Sequence, residues 1–141
     1  MLGNAYVKPF VMLLSVIVIS GCVEDPQDDR LDAAHGQTLF MAQCAQCHGD
    51  DGRGAGPASL GLGAPPPSLT TLSQRNGGLF PRDYVLTMID GLTRQGHPDD
   101  AMPEFGAQDM GPLIQVEEDG ISTPIPADLL ALATYLEALQ E

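Results

Sequence analysis

Residues 41–52 read Met-Ala-Gln-Cys-Ala-Gln-Cys-His-Gly-Asp-Asp-Gly, so that Cys44 and Cys47 stand three apart and His48 follows directly. The whole chain of 141 residues holds only three cysteines and three histidines. At that composition an accidental Cys-x-x-Cys-His has a probability of roughly one in a thousand, so the cluster reports chemistry rather than chance. The first question is which chemistry needs two thiols and an imidazole in five positions.

A structural zinc site needs four ligands, usually in two separated pairs. The remaining candidates, Cys22, His35 and His97, form no second pair. A redox dithiol sits at the start of a helix after an apolar strand. Residues 31–43, LDAAHGQTLFMAQ, have helical spacing instead. A plain disulfide leaves His48 unexplained. Covalent c-type haem attachment uses all three residues. In that reading Cys44 and Cys47 add to the two vinyl groups as thioethers, and His48 becomes the proximal iron ligand.

The third cysteine sits behind a leader. Lys8 precedes the apolar run FVMLLSVIVIS (10–20), which is of signal-peptide length and shorter than a spanning helix. Ile19-Ser20-Gly21-Cys22 resembles a bacterial lipobox, in which the cysteine is lipidated and becomes the new N-terminus. That resemblance implies an exported, lipid-anchored protein. It also accounts for every thiol, with two on haem and one on lipid. Val23 is not the aspartate that retains lipoproteins at the inner membrane, so the rule favours the outer membrane, with the domain facing the periplasm.

Residues 1–21 are thus read as leader and 22–31 as an acidic tether without apolar periodicity. A single domain follows at 32–141. Cleavage removes 21 of 141 residues, leaving 120 with five arginines, no lysine and 19 carboxylates, a net charge of −14. Such a field excludes nucleic acid and electrostatic adhesion to anionic lipid. Acidity either favours a basic docking partner or serves solubility alone.

Three helices are expected. The first covers 32–45 with Asp32 as N-cap. The second lies in PRDYVLTMIDGL (81–92), with Pro81 at its start, Asp83 near the positive dipole end and Gly91 as stop. The third lies in PADLLALATYLEALQE (126–141), where Leu129, Leu132, Ala133, Leu136 and Leu139 share a face. Met41 and Met88 fit the helical apolar patterns as core fillers, and His35 reads as a surface residue of the first helix. No stretch alternates convincingly as a strand, although residues 112–125 could form a small hairpin turning at Asp119-Gly120. This hairpin would be a docking element or a mere insertion. Glycine- and proline-rich loops dominate the remainder, notably 49–69. So loop-rich a domain has a thin core of its own, which a central haem would fill.

At this point residues 32–140 resemble a class I cytochrome c. The attachment motif follows the first helix. Gly36 and Phe40 match the family's N-terminal contact positions, and Leu132 and Tyr135 match their partners on the last helix. Gly36, lacking a side chain, lets the helices cross closely while Tyr135 covers the gap. The resemblance implies an all-α small cytochrome c fold, three to four helices with long loops wrapped around one covalently bound haem c. It implies that the Pro57 carbonyl accepts a hydrogen bond from His48. It also implies that Met102, in the stretch DDAMPEFG (99–106), is the distal iron ligand, and a thioether there favours ferrous iron. Met110, in QDMGP, and His97 are rivals for that position. Arg53, Arg75 and Arg94 are the candidate cations for the haem propionates, with a solvated role as the alternative.

The expected function is single-electron transfer with redox partner proteins in the cell envelope, as a free carrier or as the haem subunit of a larger oxidoreductase. The domain is not expected to be an enzyme itself. The alternative is a ligand-binding or catalytic haem protein with a labile sixth position, which Met102 argues against.

Overall fold

A computed structural model describes residues 30–92 and 102–141. The leader, Cys22, the tether up to residue 29, Arg94 and His97 lie outside the described residues. The described elements run α1 (Ala33–Gln43), α2 (Ala45–His48), a 3-10 turn (Pro57–Gly61), α3 (Leu72–Arg75), α4 (Arg82–Asp90), β1 (Leu113–Glu118), β2 (Ile121–Pro126) and α5 (Ala127–Ala138).

The frame is the crossing of α1 and α5. Asp32 caps α1, its carboxylate accepting the His35 N–H at 2.7 Å. A turn later Gly36 lies against the Ala131 carbonyl of α5, close enough that an added Cβ would overlap it. The missing side chain lets the two backbones touch, and the crossing buries Phe40 to 1% and Leu132 to 2% exposure. The rings of Phe40 and Tyr135 meet with centroids 5.3 Å apart at 52°. That tilted geometry adds about 0.5–1.5 kcal/mol beyond area burial. The expected contact is therefore made, with Ala131 as the point of closest approach.

Helix α5 is buried around most of its circumference, because Leu130 and Ala131 are enclosed as well as the expected Leu129, Leu132, Ala133 and Leu136. Its N-terminus is satisfied from residues before the hairpin: Ala127 N–H donates to the Pro112 carbonyl at 2.9 Å and Asp128 N–H to the Met110 carbonyl at 3.1 Å. His35 Nε2 lies 2.9 Å from Asp128 Oδ1, so His35 is half-buried and ties the two helix starts together rather than facing solvent. At the other end the Gln140 amide accepts from Ser73 N–H at 2.9 Å and donates to the Leu69 and Leu136 carbonyls at 2.8 and 2.6 Å. One side chain thereby fastens the C-terminus to the long loop and to α3.

The all-α expectation is corrected by β1 and β2, an antiparallel hairpin with six paired positions from Leu113↔Pro126 to Glu118↔Ile121. Its turn is the one expected: Asp119 and Gly120 have φ of 49° and 78°, the two left-handed positions of a type I′ turn. Ile114, Val116 and Ile125 share the face that packs on the core margin, while Leu113 and Ile121 remain exposed. The helix count is also higher than expected, because α2 and α3 are single turns of four residues each. Met41 is 42% exposed among the described residues, not a core filler.

Candidate functional site

Helix α1 delivers the motif. Its last turn is closed by Cys44 N–H donating to the Phe40 carbonyl at 2.8 Å, and α2 restarts at once. His48 N–H donates to the Cys44 carbonyl at 3.0 Å. The helical turn puts Cys44, Cys47 and His48 on one wall. Gly49, with φ of 77°, ends it in a conformation that favours glycine. The loop then curls back, Gly54 N–H donating to the His48 carbonyl at 2.7 Å and Gly56 N–H to the Cys47 carbonyl at 3.2 Å. The motif is held by backbone on both sides.

That wall borders a cleft of about 900 Å³, at the upper end of the roughly 300–1,000 Å³ spanned by small-molecule and cofactor sites. Phe40, Leu62, Pro65, Pro66, Pro67, Leu69, Leu72, Val85, Ile89, Phe105, Leu132 and Leu136 make most of its lining apolar. Apolar wall of this extent is unfavourable against water and matches a large flat apolar group. Met102 and Pro103 line the same cleft, brought in by a chain segment far from the motif in sequence.

The chemistry of the donors agrees. Cys44 and Cys47 are free thiols. Burial first, and the neighbouring Cys47 second, push the Cys44 thiol up to about 11. It therefore stays neutral beside the cleft, available for a covalent bond rather than acting as a ready thiolate. Burial lowers the pKa of His48, which keeps the imidazole neutral at physiological pH, as an iron ligand must be. Its Nδ1 is buried without a hydrogen-bond partner. The donor set fits a covalently attached haem. Among the described residues no group of three or more His, Cys, Asp or Glu side chains is arranged to hold a metal ion, so nothing there supports the zinc reading.

No hydrogen bond joins His48 Nδ1 to the Pro57 carbonyl in this structure. Gly56 is drawn onto α2 so closely that a Cβ there would overlap the Ala45 and Gln46 carbonyls, and its own carbonyl accepts from Ser59 N–H and Oγ at 2.9 and 2.6 Å. Pro57 is thereby committed to starting the 3-10 turn.

Of the methionines, Met102 lines the cleft and Met110 does not; Met110 is 7% exposed in the core beneath the start of α5. Met88 lines the cleft from α4, which the sequence did not reveal, because its spacing beside Val85 and Ile89 is that of any core residue. Among the candidate cations Arg75 borders the cleft, its guanidinium bonded to Thr71 Oγ1 at 2.5 Å and the Ser68 carbonyl at 2.8 Å. Arg53 instead pairs with Glu141 and Asp51 on the surface, away from the cleft. No helix among the described residues is long and apolar enough to cross a membrane.

A family model described as Cytochrome c matches residues 33–140. No curated protein and no solved structure matches the chain. The match spans both halves of the cleft and most of the sequence, so the chain belongs to the cytochrome c family, a haem-based electron carrier whose haem c is covalently attached.

Proposed function

We propose that this chain is a membrane-tethered mono-haem cytochrome c that carries single electrons in a periplasmic or cell-envelope redox chain, as a free carrier or as the haem subunit of a larger oxidoreductase. The observation that carries the reading is the convergence of Cys44, Cys47, His48 and Met102 on one apolar cleft. Cys44 and Cys47 hold the haem as thioethers, His48 is the proximal ligand and Met102 the distal one. The group supplies one reversible electron, and a thioether opposite imidazole favours the ferrous form and raises the potential. The apolar walls from α4, α5 and the proline run keep water from the iron, which favours the less charged state further. Among the described candidates, Arg75 on the cleft border is the cation available to a propionate.

Cys22 carries the lipid anchor, the tether 23–31 spaces the domain from the bilayer, and the outer membrane is favoured by Val23. Redox partners with a basic docking surface suit the acidity of the domain.

Fractionation and ligand binding test the reading together. The membrane fraction of expressing cells should hold a polypeptide of this size whose haem survives denaturing electrophoresis, and Cys22→Ser should release it to the soluble fraction or block processing. The reduced protein should resist carbon monoxide. Ready binding of carbon monoxide would replace the carrier reading with that of a ligand-binding or catalytic haem protein.

A further inference from the structure

Two short backbone segments meet beside the cleft. At the end of α4, Ile89 and Asp90 offer carbonyls that the helix no longer uses; Phe105 N–H donates to the first at 3.2 Å and Gly106 N–H to the second at 2.9 Å. At the contact each segment carries a glycine, and the nearest atoms to it belong to the carboxylate side chain of the facing segment. A Cβ at Gly106 would overlap the Asp90 carboxyl group, and a Cβ at Gly91 would lie 2.8 Å from Glu104 Cγ. Each segment therefore lays a carboxylate side chain across the bare glycine of the other. Phe105, between them, is buried to 6% and lines the cleft three residues from Met102.

We propose that this reciprocal lock, Asp90-Gly91 against Glu104-Gly106, is the device that positions Met102 at the iron, with Gly106 and Gly91 as its positioning residues. The argument rests on Met102 as distal ligand. A methionine on an unanchored loop would exchange with water and small ligands. Two backbone hydrogen bonds to a helix end, with a carboxylate side chain laid across each glycine, confine the segment that carries Met102. Gly91 has φ of 104° and closes α4 as well, so it serves two roles. Gly106 is not held at a positive φ, and its missing side chain makes room for the Asp90 carboxyl group alone.

The test uses the purified holoprotein in its oxidised form, with imidazole as probe and the far-red sulfur-to-iron charge-transfer band as readout. Gly106→Ala should weaken the band and raise imidazole affinity about tenfold, the factor that corresponds to one or two lost backbone hydrogen bonds. Covalent haem yield and far-ultraviolet circular dichroism should stay normal. Asp90→Ala combined with Gly106→Ala vacates the space the new methyl needs and should restore the band. In the unaltered protein, hydrogen exchange supplies a measurement free of folding effects: the Phe105 and Gly106 amides should exchange slowly, and in mild denaturant should open together with loss of the band. An unchanged band and affinity in Gly106→Ala, or fast exchange of both amides while the band is intact, overturns the lock. Met102→Ala run in parallel separates the two claims, since a band that survives it disproves the ligand assignment and not the anchoring of the loop.

Discussion

A methionine sulfur does one job in an apolar core and another beside a cleft, and Met110 and Met102 divide those jobs here. Met110 is enclosed under the start of α5, so Met110→Ala removes buried surface and leaves a hole. It should cost about 2–3 kcal/mol of stability by denaturant unfolding, within the range of buried Met→Ala changes, and leave the visible spectrum unaltered. Met102→Ala should do the reverse. On its proposed role as distal ligand, the far-red band disappears, the potential falls, and carbon monoxide binds the reduced protein, because a thioether favours ferrous iron. Met88→Ala should leave the band in place, since a helix residue packed beside Val85 and Ile89 is read here as wall rather than ligand. The sequence distinguished Met102 from Met110 only through the proline that follows it and the family resemblance. Nothing local to Met88 signals its place on the cleft, because a cleft wall and a core obey the same helical spacing.

At the level of elements, the α1–α5 crossing makes the sharpest demand. A methyl at Gly36 would strike the Ala131 carbonyl, which belongs to a helix backbone and cannot swing aside. Gly36→Ala gains about 1 kcal/mol in helix propensity and loses more to the forced separation, since overpacking costs about 1–3 kcal/mol and backbone contacts sit at the upper end. A net loss of about 2 kcal/mol in unfolding of the holoprotein is expected, with Tyr135 fluorescence reporting the opened contact. Gly61→Ala is the control: no atom lies within 4 Å of a Cβ there and its φ is ordinary, so stability should not change. Helices α1, α4 and α5 were legible because their boundaries are written in local chemistry, at Asp32, Pro81, Gly91 and Pro126. The hairpin was legible at its turn and not along its strands. Pro124 and Pro126 interrupt any strand propensity in β2, and only Ile114 and Val116 alternate with exposed neighbours in β1. The placing of Pro57 depends on more than local sequence, because hydrogen bonds from Gly54 and Gly56 set the path of the loop before Pro57 is reached.

For the molecule as a whole, charge decides with whom it meets. With 19 carboxylates against six basic residues, the protein carries a strong net negative charge. Electron transfer to a basic partner should therefore slow as salt rises from about 10 mM to about 150 mM, where the screening length shrinks from roughly 30 Å to roughly 8 Å. Stopped-flow oxidation at several ionic strengths measures it, and a rate indifferent to salt would leave acidity with solubility as its only purpose.

The crossing of α1 with α5 has a consequence in time. Gly36 and Ala131 touch although they stand 95 positions apart in the chain, so nearly the full domain must exist before its two outermost helices can pair. Closing a loop of that length costs about 4 kcal/mol of chain entropy, and contacts so distant along the chain slow folding. As the chain is synthesised from its N-terminus, Cys44 and Cys47 emerge first and the closing helix last. The interval between them is a period in which Cys44 and Cys47 stand open to whatever enzyme loads them, and α5 arrives as the door that shuts on a finished interior.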